Sequence, residues 1–303
     1  MKNSSRLSLT SGLLLILASG LGYLPIRWTS AFGAVIGGLV TRHAIWINTP
    51  AVTRFYKSIE KITGITSAEI HKKCLIEYGR QTGRVYAEFT LIQKIDQQGH
   101  VTIEGEENLG DLCTPVIFIV PHLANWELVA KVLCLMTNPT CYLFKPIESE
   151  AQMRIVHKAR SSWGRDPSFV STDSPQPMRQ LIKKLFAGEN LVILPDEIKH
   201  GYIWGPLLGR EIPYCGNRWM VARLAVKYNI DIVPLCVERI NKIDFKITIA
   251  KRIPVPCDGN KDSKAKYLSD QIDHKIDGWV RKRPEHWFLV RHMDFDKEMP
   301  GRF

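Results

Sequence analysis

The sequence predicts an α/β fold: a mixed, mainly parallel central sheet flanked by helices, preceded by an N-terminal membrane-associated helical segment. Three observations lead there. From residue 101 onward, apolar β-branched runs of strand length alternate with stretches of helical periodicity, and such alternation builds an α/β sandwich on a parallel sheet. A polar turn at Asn241 joins two late strands as a hairpin, which makes the sheet mixed. The N-terminus carries two apolar stretches, residues 7–24 without a charge and the glycine-rich 31–40.

In chain order, residues 7–24 sit at the lower edge of spanning length, weakened by Gly12, Gly20 and Gly22. No small-residue cleavage site follows where a signal peptide needs one. With residues 31–40 they suit a membrane anchor or interfacial hairpin, with Lys2, Arg6 and Arg27 favouring anionic headgroups; a pair of buried helices is the competing reading. The chain divides into a membrane segment, 1–45, and one α/β domain, 46–303. Residues 67–93 are helical, with Ser67 as N-cap, an apolar face from Ile70 to Ile92, and a bend expected at Gly79 and Gly83. Strands follow at 101–105, 116–120, 141–144, 168–171, 191–195, 230–237 and 245–250. Helices are expected from 126 to 136, with Asn125 as N-cap, and at 148–163, 177–187 and 218–228. The last helix, 266–282, is amphipathic through Leu268, Ile272, Ile276, Trp279 and Val280, and Pro284 stops it. Trp287, Phe288 and Leu289 read as packing.

The 303 residues are 45% hydrophobic and 23% charged, which excludes wholesale disorder. A net charge of +11 calls for an anionic partner or surface. Nucleic acid is disfavoured, because no zinc-finger spacing, RNA-recognition signature or basic zipper occurs. The seven cysteines include no Cys-x-x-Cys pair, which argues against a disulfide framework or structural zinc and for a reducing compartment.

The chemistry gathers at residues 115–136. His122 lies just past a buried strand, and Glu127 in the first turn of the next helix, at the crevice where α/β sheets bind ligands. A neutral imidazole can take a proton from a hydroxyl attacking a carbonyl, most effectively when a carboxylate holds its other nitrogen. A glutamate in a first helical turn also follows from the macrodipole alone. Arg154, Lys158 and Arg160 fall on one expected helix, and Arg154 and Lys158 share a face; that face binds phosphates or an acidic carrier, or is simply solvated. Asp196 sits at another strand's carboxyl end, where with Glu197 it lines the site, holds a basic residue or caps a loop. The spacing of His122 and Glu127 differs from the zinc motif His-Glu-x-x-His, so no metal and no cofactor is expected. No Gly-x-Ser-x-Gly elbow appears, which favours direct attack over an acyl-enzyme.

His122-Leu-Ala-Asn-Trp-Glu127 resembles the His-four-residues-acid motif of the glycerolipid acyltransferase superfamily. The wording Pro-His-x-x-Asn-Trp-Glu is closer to the lipid A biosynthesis acyltransferases, the late lauroyl and myristoyl transferases. Tyr86-Ala-Glu88, Arg160-Ser-Ser-Trp-Gly164, Gly205-Pro-Leu-Leu-Gly-Arg210 and Pro284-Glu-His-Trp287 resemble further segments of that family, so the likeness spans most of the chain. Leu207 and Leu208 stand where aromatics are common, and the tail keeps one arginine, Arg291, where a pair is usual. The resemblance implies a glycerolipid-acyltransferase-like fold, with His122 as base and Glu127 as its orienting partner. It also implies substrate-binding roles for Arg160, Asn125 and Asp196, with Arg154 and Lys158 behind Arg160. The implied donor is an acyl-acyl-carrier protein, the acceptor an anionic glycolipid, and the place the cytoplasmic face of the bacterial inner membrane. Acylation of another lipid, such as a lysophospholipid or glycosylated phosphoinositide, thioester hydrolysis, and a non-catalytic membrane-surface binder are the alternatives.

Overall fold

The computed structural model describes residues 23–111, 113–146, 153, 160 and 167–300. Most of the first apolar stretch, 7–24, and most of the expected helix at 148–163, including Arg154 and Lys158, therefore lie outside the described residues. Helices α1 (Ile26–Trp46), α2 (Pro50–Thr63), α3 (Ala68–Glu88) and α4 (Ile92–Gln97) precede the sheet. The strands are β1 (Val101–Glu104), β2 (Ile117–Ile119), β3 (Thr140–Phe144), β4 (Ser168–Ser171), β5 (Asn190–Ile193), β8 (Ile232–Arg239) and β9 (Phe245–Ile249). They form one sheet in the order β1-β9-β8-β2-β5-β3-β4. Every neighbouring pair is parallel except the β8–β9 hairpin, so the sheet is mixed as expected. A small hairpin of β6 (Ile198–Lys199) and β7 (Tyr202–Ile203) stands apart. The later helices are α5 (Ala130–Leu133), α6 (Pro177–Phe186), α7 (Gly216–Tyr228) and α8 (Lys261–Lys282).

Strand β2 is central because its sequence is apolar on both faces. Ile117 and Ile119 pack into the layer of α2, α6, α7 and α8, while Phe118 and Val120 pack into the layer of α4 and α5. Full burial of such side chains stabilises by about 1.5–3 kcal/mol each, which holds this strand in the middle of the sheet. Beyond it the expected helix is shorter than its periodicity suggests: a 3-10 turn, Trp126–Val129, followed by a single α turn. Asn125 does not cap it with its side chain. Its amide instead donates to Glu88 at 3.2 Å in the interior, and buried polar groups go where partners are.

Ser67 caps α3 as expected, but Gly79 and Gly83 do not break the helix. They let α1 approach to backbone contact: a Cβ on either glycine would strike Thr41 or Gly33. The opposite face of α1 is apolar and exposed through Trp28, Phe32, Val35, Ile36, Leu39 and Val40. Among the described residues no single helix is long and apolar enough to cross a membrane; α1 and α2 together pass that test of length and composition but are bent by 102°.

Candidate active site

Two strand ends make the centre of the site. β2 and β5 are parallel neighbours, with Ile119 opposite Ile193. His122 and Asp196 each lie three residues beyond that pair, so the register delivers them side by side. The Asp196 side chain is fully buried and His122 is 23% exposed. His122 Nδ1 lies 3.0 Å from Asp196 Oδ1, and the His122 main-chain N–H donates to Oδ2 at 2.8 Å. Since a carboxylate accepts, this geometry assigns the proton of neutral His122 to Nδ1 and leaves Nε2 as the acceptor. The imidazole packs edge-on against Trp126, with ring centroids 4.8 Å apart.

The carboxylate that meets the imidazole is thus Asp196, where the sequence motif suggested Glu127. The reason is local backbone shape. Ala124 adopts a left-handed φ of 48°, Asn125 turns inward to Glu88, and the chain then enters a 3-10 turn. Glu127, 2% exposed, meets Arg160 instead, accepting from Nη2 at 2.7 Å and from Nε at 3.2 Å. That two-pronged pairing suits the planar guanidinium. Of Arg154, Lys158 and Arg160, the anion-binding candidates on the expected helix, Arg160 is described, and it lines the cleft beside Glu127.

His122, Glu127, Asp196, Glu197, Lys145 and Arg160 line one cleft of about 940 Å³, at the upper end of the ~300–1,000 Å³ of small-molecule sites. Its remaining wall is largely apolar, with Val129, Leu143, Leu181, Met220 and Leu289 among the lining residues. Asn125 is buried behind this wall rather than lining it. Glu197 is bound by the Asn217 N–H at 2.7 Å. Burial nevertheless pushes its carboxyl above the ordinary glutamate range. Gly216 is required beside it: its φ is 73°, and a Cβ there would meet Glu197 Oε1 at 2.8 Å. Among the described residues, no group of three or more His, Cys, Asp or Glu side chains is arranged to hold a metal ion.

The sequence reading missed one residue at the centre. Trp287, whose apolar neighbours read as packing, is fully buried, yet its indole Nε1–H donates to Asp196 Oδ2 at 2.8 Å. The sequence does place His122 and Asp196 at like strand ends, because both apolar runs close in the same way, Val120-Pro-His122 and Leu194-Pro-Asp196. Nothing local in the sequence points from Trp287 to Asp196.

A family model for bacterial lipid A biosynthesis acyltransferases matches residues 3–293. No curated protein matches the chain by sequence. Solved structures similar to it include the crystal structure of the 1-acyl-sn-glycerophosphate (LPA) acyltransferase PlsC from Thermotoga maritima. That likeness has 13% sequence identity and a TM-score of 0.38, and covers 76% of this chain and 94% of that one.

Proposed function

Because this chain belongs to the bacterial lipid A biosynthesis acyltransferase family, we propose that it moves a fatty acyl chain from an acyl-acyl-carrier protein to a hydroxyl of a lipid A precursor, with His122 as general base. The observation that carries this reading is the 3.0 Å contact of His122 Nδ1 with buried Asp196, which leaves Nε2 with a free lone pair. In the reaction, Nε2 takes the hydroxyl proton as that oxygen attacks the thioester carbonyl. The tetrahedral oxyanion collapses, the carbon–sulfur bond breaks, and the imidazolium returns its proton to the departing thiolate. Asp196 holds the tautomer and stabilises the imidazolium. Arg160, fixed by Glu127, offers positive charge either to the oxyanion or to a phosphate of the acceptor. The apolar wall of the cleft receives the acyl chain. The outward apolar face of α1 and the net charge of +11 support residence at the cytoplasmic face of the inner membrane, where an anionic glycolipid and an acidic carrier both meet the protein.

The test is transfer by the full chain in detergent, read as the acyl mass gained by a lipid A precursor in mass spectrometry. With acyl-acyl-carrier protein as donor, His122→Ala is expected to lower the rate by roughly 10²–10⁴-fold, the usual worth of general base catalysis. A His122→Ala protein working at the parental rate overturns the assignment. Donor hydrolysis without product, or transfer only to lysophospholipids, overturns the proposed acceptor.

A further inference from the structure

We propose that Trp287 is a positioning residue for acyl transfer: its indole N–H fixes the Asp196 carboxylate that holds the His122 imidazole. The inference rests on the reading of His122 as the base and adds the C-terminal segment to the reaction.

Asp196 Oδ2 receives two N–H groups, the His122 main chain and the Trp287 indole, each at 2.8 Å. With one oxygen held from two directions, the carboxylate plane is set and Oδ1 points to His122 Nδ1. Without the indole, Oδ2 keeps a single main-chain donor, and the hold on the carboxylate loosens about its last side-chain torsion, which is broad for aspartate.

Trp287 is itself fixed, and by the same loop that it serves. Leu123 and Trp287 form an isolated antiparallel bridge. On one side of it the Ala124 N–H donates to His286 O at 3.0 Å, and on the other the Phe288 N–H donates to His122 O at 2.9 Å. The segment 286–288 therefore runs against 122–124 and grips the main chain on both sides of Leu123. Ala124, whose φ of 48° is disfavoured for alanine, stays in that conformation under this grip. The tail thus controls the two things a general base needs, the place of the imidazole and the direction of its orienting carboxylate. The plain competing account is that a buried indole N–H simply needs an acceptor. On that account, removing the N–H while keeping an aromatic ring costs stability alone.

Trp287→Phe separates the two accounts. In the full chain, with acyl-acyl-carrier protein and a lipid A precursor, kcat is expected to fall about 10- to 100-fold while KM for each substrate stays within about twofold. Nitrogen-15 NMR of labelled histidine should show the His122 Nδ1–H signal weakened or moved towards that of a solvated imidazole. A Trp287→Phe protein with parental kcat, or one whose loss lies in KM, overturns the inference. If that variant does not fold, the unmutated protein gives the answer: the Trp287 indole proton should lie downfield and exchange slowly with water. A freely exchanging, undisplaced resonance overturns the inference. The His122→Ala control separates the two failures. If it retains activity, the underlying reading falls. If it is inactive while Trp287→Phe is unimpaired, only the role of Trp287 falls.

Discussion

Two buried arginine–glutamate pairs use the same chemistry for different ends. Arg239 grips Glu88 through both terminal guanidinium nitrogens, at 2.9 and 2.7 Å. Ser30 donates to the same carboxylate at 2.6 Å and Asn125 at 3.2 Å. Glu88 is fully buried, and its oxygens are filled by protein donors from α1, the loop after His122, and the end of β8. Arg160 and Glu127 form a pair of similar geometry, but Arg160 is 19% exposed and opens onto the cleft. The first pair is a knot, and the second is, on the proposed mechanism, a tool. What separates them is access: the Arg160 guanidinium reaches the cleft, whereas both Glu88 oxygens are occupied from within.

Breaking the knot has the larger expected effect on stability. Glu88→Ala strands the Arg239 guanidinium in the interior, and removing one partner of a buried pair typically costs ~3–5 kcal/mol. Thermal and urea unfolding in detergent should show that loss, with the catalytic rate per folded molecule much less affected. A Glu88→Ala protein as stable as the parent would show that the interior is wet there, and would dissolve the contrast. Arg160→Ala is the mirror image. Transfer activity should drop by about 10²–10³-fold if the guanidinium serves the oxyanion, and stability should fall as well, because Glu127, 2% exposed, loses its partner in the interior. Arg160→Lys should restore little, since an ammonium cannot reproduce the two-pronged pairing that orients the group. Full activity in Arg160→Ala would demote this pair to a second knot.

The same contrast explains what could be read from the sequence. Strand order aside, the sheet was legible because β2, β5 and β8 are apolar on both faces and the helices between them are periodic. His122 and Asp196 were legible as residues at strand ends, but their pairing was not. It depends on which two strands lie side by side, and that is settled by packing across the whole sheet rather than by local pattern. Sequence proximity points from His122 to Glu127, but the loop between them, left-handed at Ala124, delivers Glu127 to Arg160 instead. Glu88 was seen only as part of a family-like segment without a role, since its four donors come from positions 30, 125 and 239. Trp287 was invisible for the same reason, being 91 residues from its acceptor.

A smaller, graded effect should distinguish the sealed side of the His122 loop from the open one. His286 lies in the tail segment that grips Ala124 and is 6% exposed. Its Nε2 accepts from the Arg283 guanidinium at 2.7 Å. Burial first, and then the charges of Arg283 and Arg239, push its pKa down to about 3; Glu285 is the nearest opposing charge, at 3.9 Å. The unfolded chain binds a proton at this histidine near pH 6.5 and the folded chain does not, so stability is complete above about pH 6.5 and falls as the pH drops towards 3. The slope is about 1.4 kcal/mol per pH unit, or roughly 2 kcal/mol between pH 6.5 and 5. His286→Gln keeps an acceptor for Arg283 but cannot take up the proton, so its stability should be flatter over that interval. Unfolding curves for parent and variant that run parallel from pH 7 to 5 would mean that this histidine is solvated, and that the tail's hold on the His122 loop is as open to water as the cleft on its other side.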